Sequence, residues 1–323
     1  MNAVTKRILL YVGLTFALTF GFVLLAVKPL LESENPMLAT IGQAGISLVM
    51  LLPALCVALT RALTREGFAD AWLKPVEFKK RWGYYALAWF GPAALTLVGC
   101  AVYFLAVPGD FDPGMGYIRA SYEALGATLT AEEAKAALGQ QLITALLAGP
   151  LLNCVTCFGE EWGWRGYLLP KLITRMPIWG ALLLSGVIWG LWHAPLTLLG
   201  HNYGLDYPGY PYAGIAAMCV FCIANGVFFS FVTLRAGSCI PAVLAHGGLN
   251  SIAQAGLYYT RTGGNPFVGP MPTGILGGSA ILLAALVFGA LLLRDARRPR
   301  PIGALPGENE PASAESAAKA GGG

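Results

Sequence analysis

The sequence predicts an all-α polytopic membrane protein of about eight transmembrane helices. Hydrophobic residues make up 56% of the 323 residues, and charged residues only 12%, about half of the roughly 25% typical of soluble globular domains. Apolar stretches close to the roughly 20 residues needed to cross a bilayer recur along the chain. The basic residues between these stretches are divided very unequally between the two sides of the predicted bundle.

The predicted spans are separated by short polar or Gly/Pro-rich connections. They cover residues 8–28, 39–60, 84–106, 140–162, 178–199, 212–234, 239–258 and 272–293. We interpret the first as a retained helix rather than a cleaved signal peptide, because it is long and further spans follow it. Spans 4–7 are expected to form a four-helix core.

The distribution of Lys and Arg predicts the orientation of the spans. With a cytoplasmic N-terminus, 17 of the 21 basic residues fall on the cytoplasmic side, and the other side receives only Lys28, Arg119, Lys135 and Arg261. This is the asymmetry expected for an even number of spans with both termini inside. Together with the Ala/Gly/Leu-rich composition, it predicts an integral protein of a bacterial inner or plasma membrane with cytoplasmic N- and C-termini.

Four regions are expected along the chain. Residues 1–139 hold three spans, an interfacial segment from Arg61 to Trp82 and an extracytoplasmic loop, in which Thr130 followed by two glutamates indicates a helix start. Residues 140–258 carry the polar side chains of the membrane domain, and residues 259–294 contain the last span. Residues 295–323 have no apolar face, which predicts a disordered cytoplasmic tail.

Composition also argues against two kinds of site. The net charge is only +4 and no basic run alternates with aromatic residues, so we expect no nucleic-acid partner. The seven cysteines lie mostly in apolar runs and should pack as small hydrophobic residues. The pairs Cys154/Cys157 and Cys219/Cys222 have the C-x-x-C spacing of a thiolate metal site. We do not expect such a site, because helical i, i+3 pairs arise by chance and four thiolates in lipid would require a dication to offset their charge.

Ionisable residues inside predicted spans are costly to bury, so each is a candidate for function. Glu160, Glu161 and Arg165 lie at the end of the fourth span. The two glutamates point about 100° apart on a helix, whereas Glu161 and Arg165 are one turn apart and can form an ion pair. Glu160 would then face a cavity, although the two glutamates could exchange these roles.

Two of the three histidines also fall inside spans. His193 precedes Pro195, which can kink the helix and free carbonyl groups to line a cavity. His246 and Asn250 share one helix face, and the two glycines between them permit close approach of another backbone. The remaining histidine, His201, is expected to be solvated in a loop. Packing or interfacial roles are assigned to Trp162, Trp164, Trp189 and Trp192.

A glutamate, two histidines and an asparagine in one water-filled pocket would form a hydrolytic site. The carboxylate, aided by one histidine, would take a proton from a water molecule whose oxygen attacks a peptide carbonyl. The other histidine and the asparagine would stabilise the resulting oxyanion.

Three ordered strings resemble the signature motifs of the CPBP family, the CAAX prenyl proteases and bacteriocin-processing proteins that include the eukaryotic Ras-converting endopeptidase. They are E-E-x-x-x-R at Glu160, Glu161 and Arg165, aromatic-x-x-x-H at Trp189 and His193, and H-x-x-x-N at His246 and Asn250. The resemblance covers residues 140–258. The second motif usually opens with Phe; because Trp189 is also aromatic, we expect only local packing to differ.

This resemblance implies an all-helical intramembrane endopeptidase that cuts near the C-terminus or a membrane-proximal part of a peptide or protein substrate. Glu160 would activate water, His193, His246 and Asn250 would complete the site, and Glu161 and Arg165 would support it. The resemblance favours substrate entry from the cytoplasmic side. No cofactor is certain; the alternative is a Zn²⁺ ion held by Glu160, His193 and His246, although H-E-x-x-H is absent.

Three questions stay open at this point. The fold could belong to a non-catalytic membrane immunity or scaffold protein, which would tolerate Glu160→Gln. A proton-coupled transporter is disfavoured because no inverted repeat is visible. On these span boundaries His246 lies about 10–12 Å deep and His193 more than 20 Å deep, so tilt, a kink at Pro195 or a fourth helix continuing to Leu172 is needed to bring them together.

Overall fold

A computed structural model describes residues 2–296 of the chain, and over these residues the protein is all-helical without a strand. The predicted all-α polytopic class is confirmed. The predicted tail lies outside the described residues, except for Asp295 and Ala296. The α-helices of the described part are, in order, α1 Ala3–Phe22, α2 Lys28–Leu31, α3 Pro36–Val49, α4 Leu52–Thr64, α5 Phe78–Ala106, α6 Gly116–Ala124, α7 Ala131–Leu147, α8 Gly149–Leu152, α9 Cys154–Gly163, α10 Leu169–Ile173, α11 Ile178–Trp192, α12 Ala194–Thr197, α13 Tyr212–Ala236, α14 Ile240–Ile252 and α15 Ser279–Ala296.

Four helical stretches of the described chain are long and apolar enough to cross a membrane: Ala3–Leu31, Phe78–Ala106, Tyr212–Ala236 and Ser279–Ala296. A fifth is formed if α3 and α4, which are bent by 49°, count as one span. The predicted spans 1, 3, 6 and 8 correspond to the four continuous stretches. The predicted spans 2, 4, 5 and 7 are bent, interrupted or short, so residues 2–296 do not contain eight continuous spanning helices.

Proline accounts for the breaks within predicted spans 2, 4 and 5, and it begins the short helix of span 7. The helix that follows each break or defines each short span has a proline in its first turn: Pro53 in α4, Pro150 in α8, Pro195 in α12 and Pro241 in α14. Proline lacks the backbone N–H and clashes with the preceding turn, so it starts a helix well and continues one badly. Broken backbone is tolerated at membrane depth where it lines a cavity, and residues of α12 and α14 line the cavity of the site.

Helix α13 lies at the centre of the core and packs against α5, α11, α14 and α15. Every residue from Ala224 to Leu234 on this helix is buried. A Cβ on Gly186 would lie 2.6 Å from the Cα of Ile223, and one on Gly190 would lie 2.5 Å from the Cα of Cys219. These two glycines therefore let α11 approach α13 closely, which positions the end of α11 beside the core.

The connections between helices lie at two ends of the bundle. At one end, which we call the basic end, α4 and α10 terminate, α5 and α11 begin, and residues 65–77 fold against α9 and α14. At the opposite end, residues 198–211 connect α12 to α13 and residues 253–278 connect α14 to α15. The predicted helix start at Thr130 is confirmed, because Thr130 and Glu133 form a capping box at the beginning of α7.

Candidate active site

The first motif lies on a helix that begins and ends later than predicted. Helix α9 begins at Cys154, passes through a π-helical turn at Trp164–Leu168 and continues as α10 to Ile173. Glu160 therefore lies about 20 Å along this helix from its basic end, close to the depth of His193 at the end of α11. Single π-helical turns are frequent at functional sites, and this one contains Arg165.

This longer helix removes most of the difference in depth expected between the motifs. Helix α14 starts next to Ser238 and Cys239, and both of these residues are completely buried. The helix therefore begins inside the bundle and not at its surface, so His246 lies deeper than its distance from the helix start indicates. Helix α11 ends at Trp192, and His193 lies at the break before the turn that contains Pro195. The predicted interruption at Pro195 is present, and the predicted extension of the fourth helix to Leu172 is also present, since α10 ends at Ile173.

Glu160 is held by two tryptophan side chains. Its Oε2 accepts hydrogen bonds from Nε1 of Trp189 at 2.6 Å and from Nε1 of Trp164 at 3.3 Å. Within residues 2–296, Oε1 has no hydrogen-bond partner, and the side chain lines a cavity. Both donors are neutral, so the carboxylate is oriented without a cation bound to it.

Glu161 has a different set of partners. Its Oε1 accepts a hydrogen bond from Arg165 at 3.1 Å, which confirms the expected ion pair, and lies 2.9 Å from Nδ1 of His246. All three side chains are buried. Because a carboxylate accepts hydrogen bonds, this contact assigns the proton to Nδ1 of His246 and leaves Nε2 free. The chain Arg165–Glu161–His246 thus fixes the imidazole in one orientation.

His193 is oriented by its own helix. Its Nδ1 lies 2.9 Å from the carbonyl oxygen of Trp189, one turn earlier. A carbonyl can only accept, so this contact assigns the proton to Nδ1 and leaves Nε2 as an acceptor in the neutral ring. The ring packs edge-to-face against Trp192 at a centroid distance of 4.7 Å.

Asn250 lies one turn after His246 on α14 and is solvent-exposed. Its amide lies 3.7 Å from Sγ of Cys157 on α9, a weak contact that orients the side chain. Between the two motif residues, a Cβ on Gly247 would lie 2.8 Å from the carbonyl oxygen of Pro150. The predicted close approach at these glycines is therefore confirmed for Gly247.

A cavity of about 280 Å³ brings together the four residues expected to be catalytic, Glu160, His193, His246 and Asn250. Glu161 and Arg165 do not line it; they lie behind its wall and contact it through His246 and Trp189. The cavity walls carry further uncharged polar side chains, but no Asp, Lys or Arg. The arrangement can hold water and a peptide group beside one carboxylate oxygen and two imidazole nitrogens.

Sequence reasoning missed the polar role of two tryptophans. Trp164 and Trp189 were expected only to pack, but their indole N–H groups hold Glu160. Trp189 also stacks under the guanidinium of Arg165, 4.2 Å from the ring centroid. The i, i+4 spacing of Glu160 and Trp164 could have indicated the first contact, whereas the second joins two helices.

The expectation for His201 was also wrong. Instead of being a solvated loop residue, His201 is half-buried and lines the cavity. Its ring is parallel to that of His193, with centroids 6.3 Å apart and an interplanar angle of 5°. A loop residue is brought to the cavity because residues 198–211 fold back over the end of α11.

A metal ion does not fit these side chains as they are arranged. Within residues 2–296 no three His, Cys, Asp or Glu side chains form a group that could hold one. In the Zn²⁺ alternative with Glu160, His193 and His246, the hydrogen bonds to both Nδ1 atoms leave both Nε2 atoms free, as metal ligation would require, but these three side chains do not converge into a group that could hold an ion. We therefore derive no catalytic step through a metal.

Two comparisons with known proteins agree with this geometry. Residues 142–252 match a family model described as type II CAAX prenyl endopeptidase Rce1-like, and this stretch contains all the expected site residues. A CAAX prenyl protease 2 from Methanococcus maripaludis is 43% identical over 44 residues. That similarity covers 14% of this chain and 16% of the relative.

Proposed function

We propose that this chain is a membrane protease of the CPBP family, as the match of residues 142–252 to the Rce1-like family model supports, and that it is an intramembrane endopeptidase in which Glu160 activates the attacking water. The carboxylate geometry carries this proposal. One oxygen of Glu160 is held by two neutral indole donors, and the side chain faces a cavity shared with His193, His246 and Asn250. A carboxylate held by neutral donors can accept a proton without breaking a salt bridge.

In the first step, Glu160 accepts a proton from water while the water oxygen attacks the carbonyl carbon of the scissile peptide bond. Nε2 of His193, an acceptor in the neutral ring, takes the second hydrogen bond of that water and orients it. The carbonyl π bond becomes the tetrahedral oxyanion. In the second step the C–N bond breaks, and the proton held by Glu160 passes to the leaving amine.

The oxyanion is stabilised from the α14 side. The amide of Asn250 donates one hydrogen bond to it, and Nε2–H of protonated His246 donates another. Glu161 lies 2.9 Å from Nδ1 of the same ring and so stabilises positive charge on it. Arg165 balances the charge of Glu161, which lets this carboxylate remain buried behind the cavity.

The substrate class follows from the position of the site among membrane helices. We propose a peptide or protein that is cut near its C-terminus or at a membrane-proximal segment. The relative's name makes a CAAX-type C-terminal peptide the first sequence to test. The proposal includes a bacterial inner or plasma membrane as the location, cytoplasmic termini and hydrolysis without a metal.

The test is peptide cleavage by detergent-purified protein, with a CAAX-type reporter and a broad peptide panel. Wild type is compared with Glu160→Gln and His246→Ala, each with and without a chelator. We expect wild-type cleavage that survives the chelator and is lost in both variants. Chelator-sensitive activity restored by Zn²⁺ would contradict the water-only mechanism. A wild type that cleaves nothing, together with variants that keep the cellular phenotype, would instead support the immunity or scaffold function.

A further inference from the structure

The loop after α12 brings a third imidazole to the wall of the active-site cavity. His201 lines this cavity together with His193 and His246. The other two rings are each held by a hydrogen bond at Nδ1. Within residues 2–296, neither ring nitrogen of His201 has a hydrogen-bond partner, and its ring lies parallel to that of His193. Both ring nitrogens of His201 are therefore available to a molecule in the cavity.

The end of α12 explains why His201 lies at the cavity. The backbone N–H of His201 donates to the carbonyl oxygen of Leu196 at 3.0 Å. The N–H of Gly200 donates to the carbonyl oxygen of Thr197, also at 3.0 Å. This pair of hydrogen bonds is the Schellman motif, and Gly200 has the left-handed conformation that the motif requires, with a φ of 87°. The chain therefore reverses immediately after α12 and turns His201 back toward the end of α11.

The two residues after His201 hold the loop in place. Asn202 has a φ of 68°, which asparagine adopts more readily than most residues, and its amide lies 3.5 Å from Sδ of Met218 on α13. Tyr203 is buried, and its ring packs against that of Phe267 at a centroid distance of 4.9 Å. The imidazole of His201 is thus positioned by its neighbours in the chain, although nothing in the described residues bonds to its ring nitrogens.

His201 differs in exposure from other polar groups of the cavity wall. Helix α3 contributes Ile46, Ser47 and Met50 to this wall, and Gln254 follows α14. Ser47 and Gln254 are solvent-exposed, so water can satisfy them, whereas His201 is half-buried. Burial lowers the pKa of the His201 imidazole, so the ring is neutral at pH 7 and has one N–H donor and one acceptor nitrogen. A half-buried donor without a partner gains more from a ligand than an exposed one.

We propose that His201 is a substrate-binding residue, which donates a hydrogen bond to a backbone carbonyl about two residues from the scissile bond. This inference rests on the proposed peptidase function and adds a binding contact to it. The ring centroids of His193 and His201 are 6.3 Å apart, and an extended peptide advances about 3.3 Å per residue. When His193 orients water at the scissile carbonyl, His201 lies beside the peptide group two residues further along the substrate.

The test compares three changes at His201 with a control in the same loop. His201→Gln keeps a side-chain N–H donor, His201→Phe keeps a planar ring beside His193 without a donor, and His201→Ala keeps neither. Tyr203→Phe is the control, because it removes a hydroxyl group from a loop residue that does not line the cavity. Cleavage of the CAAX-type reporter gives kcat and KM for each purified protein, and thermal unfolding shows whether each is folded.

We expect KM to rise roughly 3–10-fold in His201→Ala and His201→Phe, as for the loss of one neutral hydrogen bond. The value of kcat should not change, because Glu160 and His193 are intact. His201→Gln and Tyr203→Phe should both keep a KM close to that of the wild type. An unchanged KM in His201→Ala, an equal rise in all three His201 variants, or a fall in kcat at constant KM would overturn the proposal.

Failure of the peptidase function gives a different result. If the wild type cleaves neither the reporter nor any peptide of the panel, binding of a fluorescent CAAX-type peptide is measured by anisotropy on the same proteins. Weaker binding by His201→Ala and His201→Phe, but not by His201→Gln, would still support a peptide-binding role of His201. Equal binding by all variants, or no binding by the wild type, would contradict it.

Discussion

Two buried carboxylates, Glu160 in the site and Glu66 at the basic end, show how differently the fold uses similar side chains. Glu160 is 2% exposed, and the side chain of Glu66 is 4% exposed. Both oxygens of Glu66 are engaged: one pairs with Lys171, and the other accepts a hydrogen bond from Tyr167 at 2.9 Å and lies 3.5 Å from Arg7. Glu160 has only neutral donors, all of them on one oxygen.

This comparison shows that burial of a charge does not by itself identify a site. Protonation of Glu66 would leave Arg7 without its counter-charge and Lys171 with only Asp70, 3.6 Å away, so this carboxylate is suited to hold α1 and α10 together. Glu160 can take up and release a proton without breaking a salt bridge, and it faces a cavity. The free oxygen and the cavity distinguish a catalytic group from a structural one.

The largest expected effect is on catalysis by Glu160→Gln. The amide cannot accept a proton from water, so kcat should fall by about 10²–10⁴-fold, the usual contribution of a general base. The two indole donors can still hold the amide oxygen, so the melting temperature should change little. Steady-state cleavage and thermal unfolding of the same purified samples measure both quantities. Substantial activity in the variant would exclude Glu160 as the base.

Glu161→Gln should impair both stability and activity. It leaves Arg165 buried without its partner, which typically costs about 3–5 kcal/mol, and it removes the carboxylate that orients His246. Loss of such a supporting partner lowers activity by about 10–100-fold in metal sites, and we expect a similar decrease. In the double variant Glu161→Met/Arg165→Met the melting temperature should recover while activity stays low. Recovery of activity as well would show that His246 does not need Glu161.

Trp189→Phe tests the indole that orients Glu160, with Trp192→Phe as the matched control. Both tryptophans are buried on α11, but Nε1 of Trp192 donates to Thr19 instead, at 2.7 Å. Loss of a hydrogen bond to a charged group costs about 1.5–3 kcal/mol, so Trp189→Phe should reduce kcat by roughly 10–100-fold. The control should retain near wild-type kcat. Equal effects of the two changes would mean that the indole acts through packing.

Glu66→Gln should lower stability and leave catalysis unchanged, whereas Glu160→Gln should lower catalysis and leave stability unchanged. The free energy of unfolding should fall by about 1–3 kcal/mol, because a charge-assisted network loses its anion. The value of kcat per folded molecule should remain unchanged, since no residue of the network lines the cavity. Thermal unfolding measures the change in stability, and dividing the maximal rate by the concentration of active enzyme gives kcat per folded molecule. A lower kcat in the folded fraction would show that the two carboxylates are coupled.

The smallest expected effect is that of Thr130→Ala at the start of α7. The capping box is exposed and belongs neither to the active site nor to the hydrogen-bonded network of Glu66. Its loss should therefore cost about 1 kcal/mol and leave kcat unchanged. Hydrogen exchange of the first turn of α7 measures this local change. If Thr130→Ala altered cleavage, α7 would have to be linked to the cavity in a way that its contacts do not indicate.

Local spacing in the sequence was sufficient for several features. Hydropathy determines the all-α membrane class because each apolar stretch must satisfy its backbone within a helix. The ion pair of Glu161 with Arg165 follows from a separation of one helical turn, and the capping box follows from Thr130 and Glu133. The three motifs also indicated which residues share the cavity, because their order resembles that of a known family.

Tertiary structure alone decided how the helices meet and which loop residue joins the site. Glu161 and His246 are 85 positions apart, and Glu160 and Trp189 are 29 apart; their contacts depend on the rotation and depth of separate helices, which no spacing within one helix can specify. The mean hydropathy of a sequence window does not register a proline break or a π-helical turn, so the helix boundaries in the structure differ from the predicted span boundaries. His201 lines the cavity because a loop folds back on the end of α11, where its ring lies parallel to that of His193.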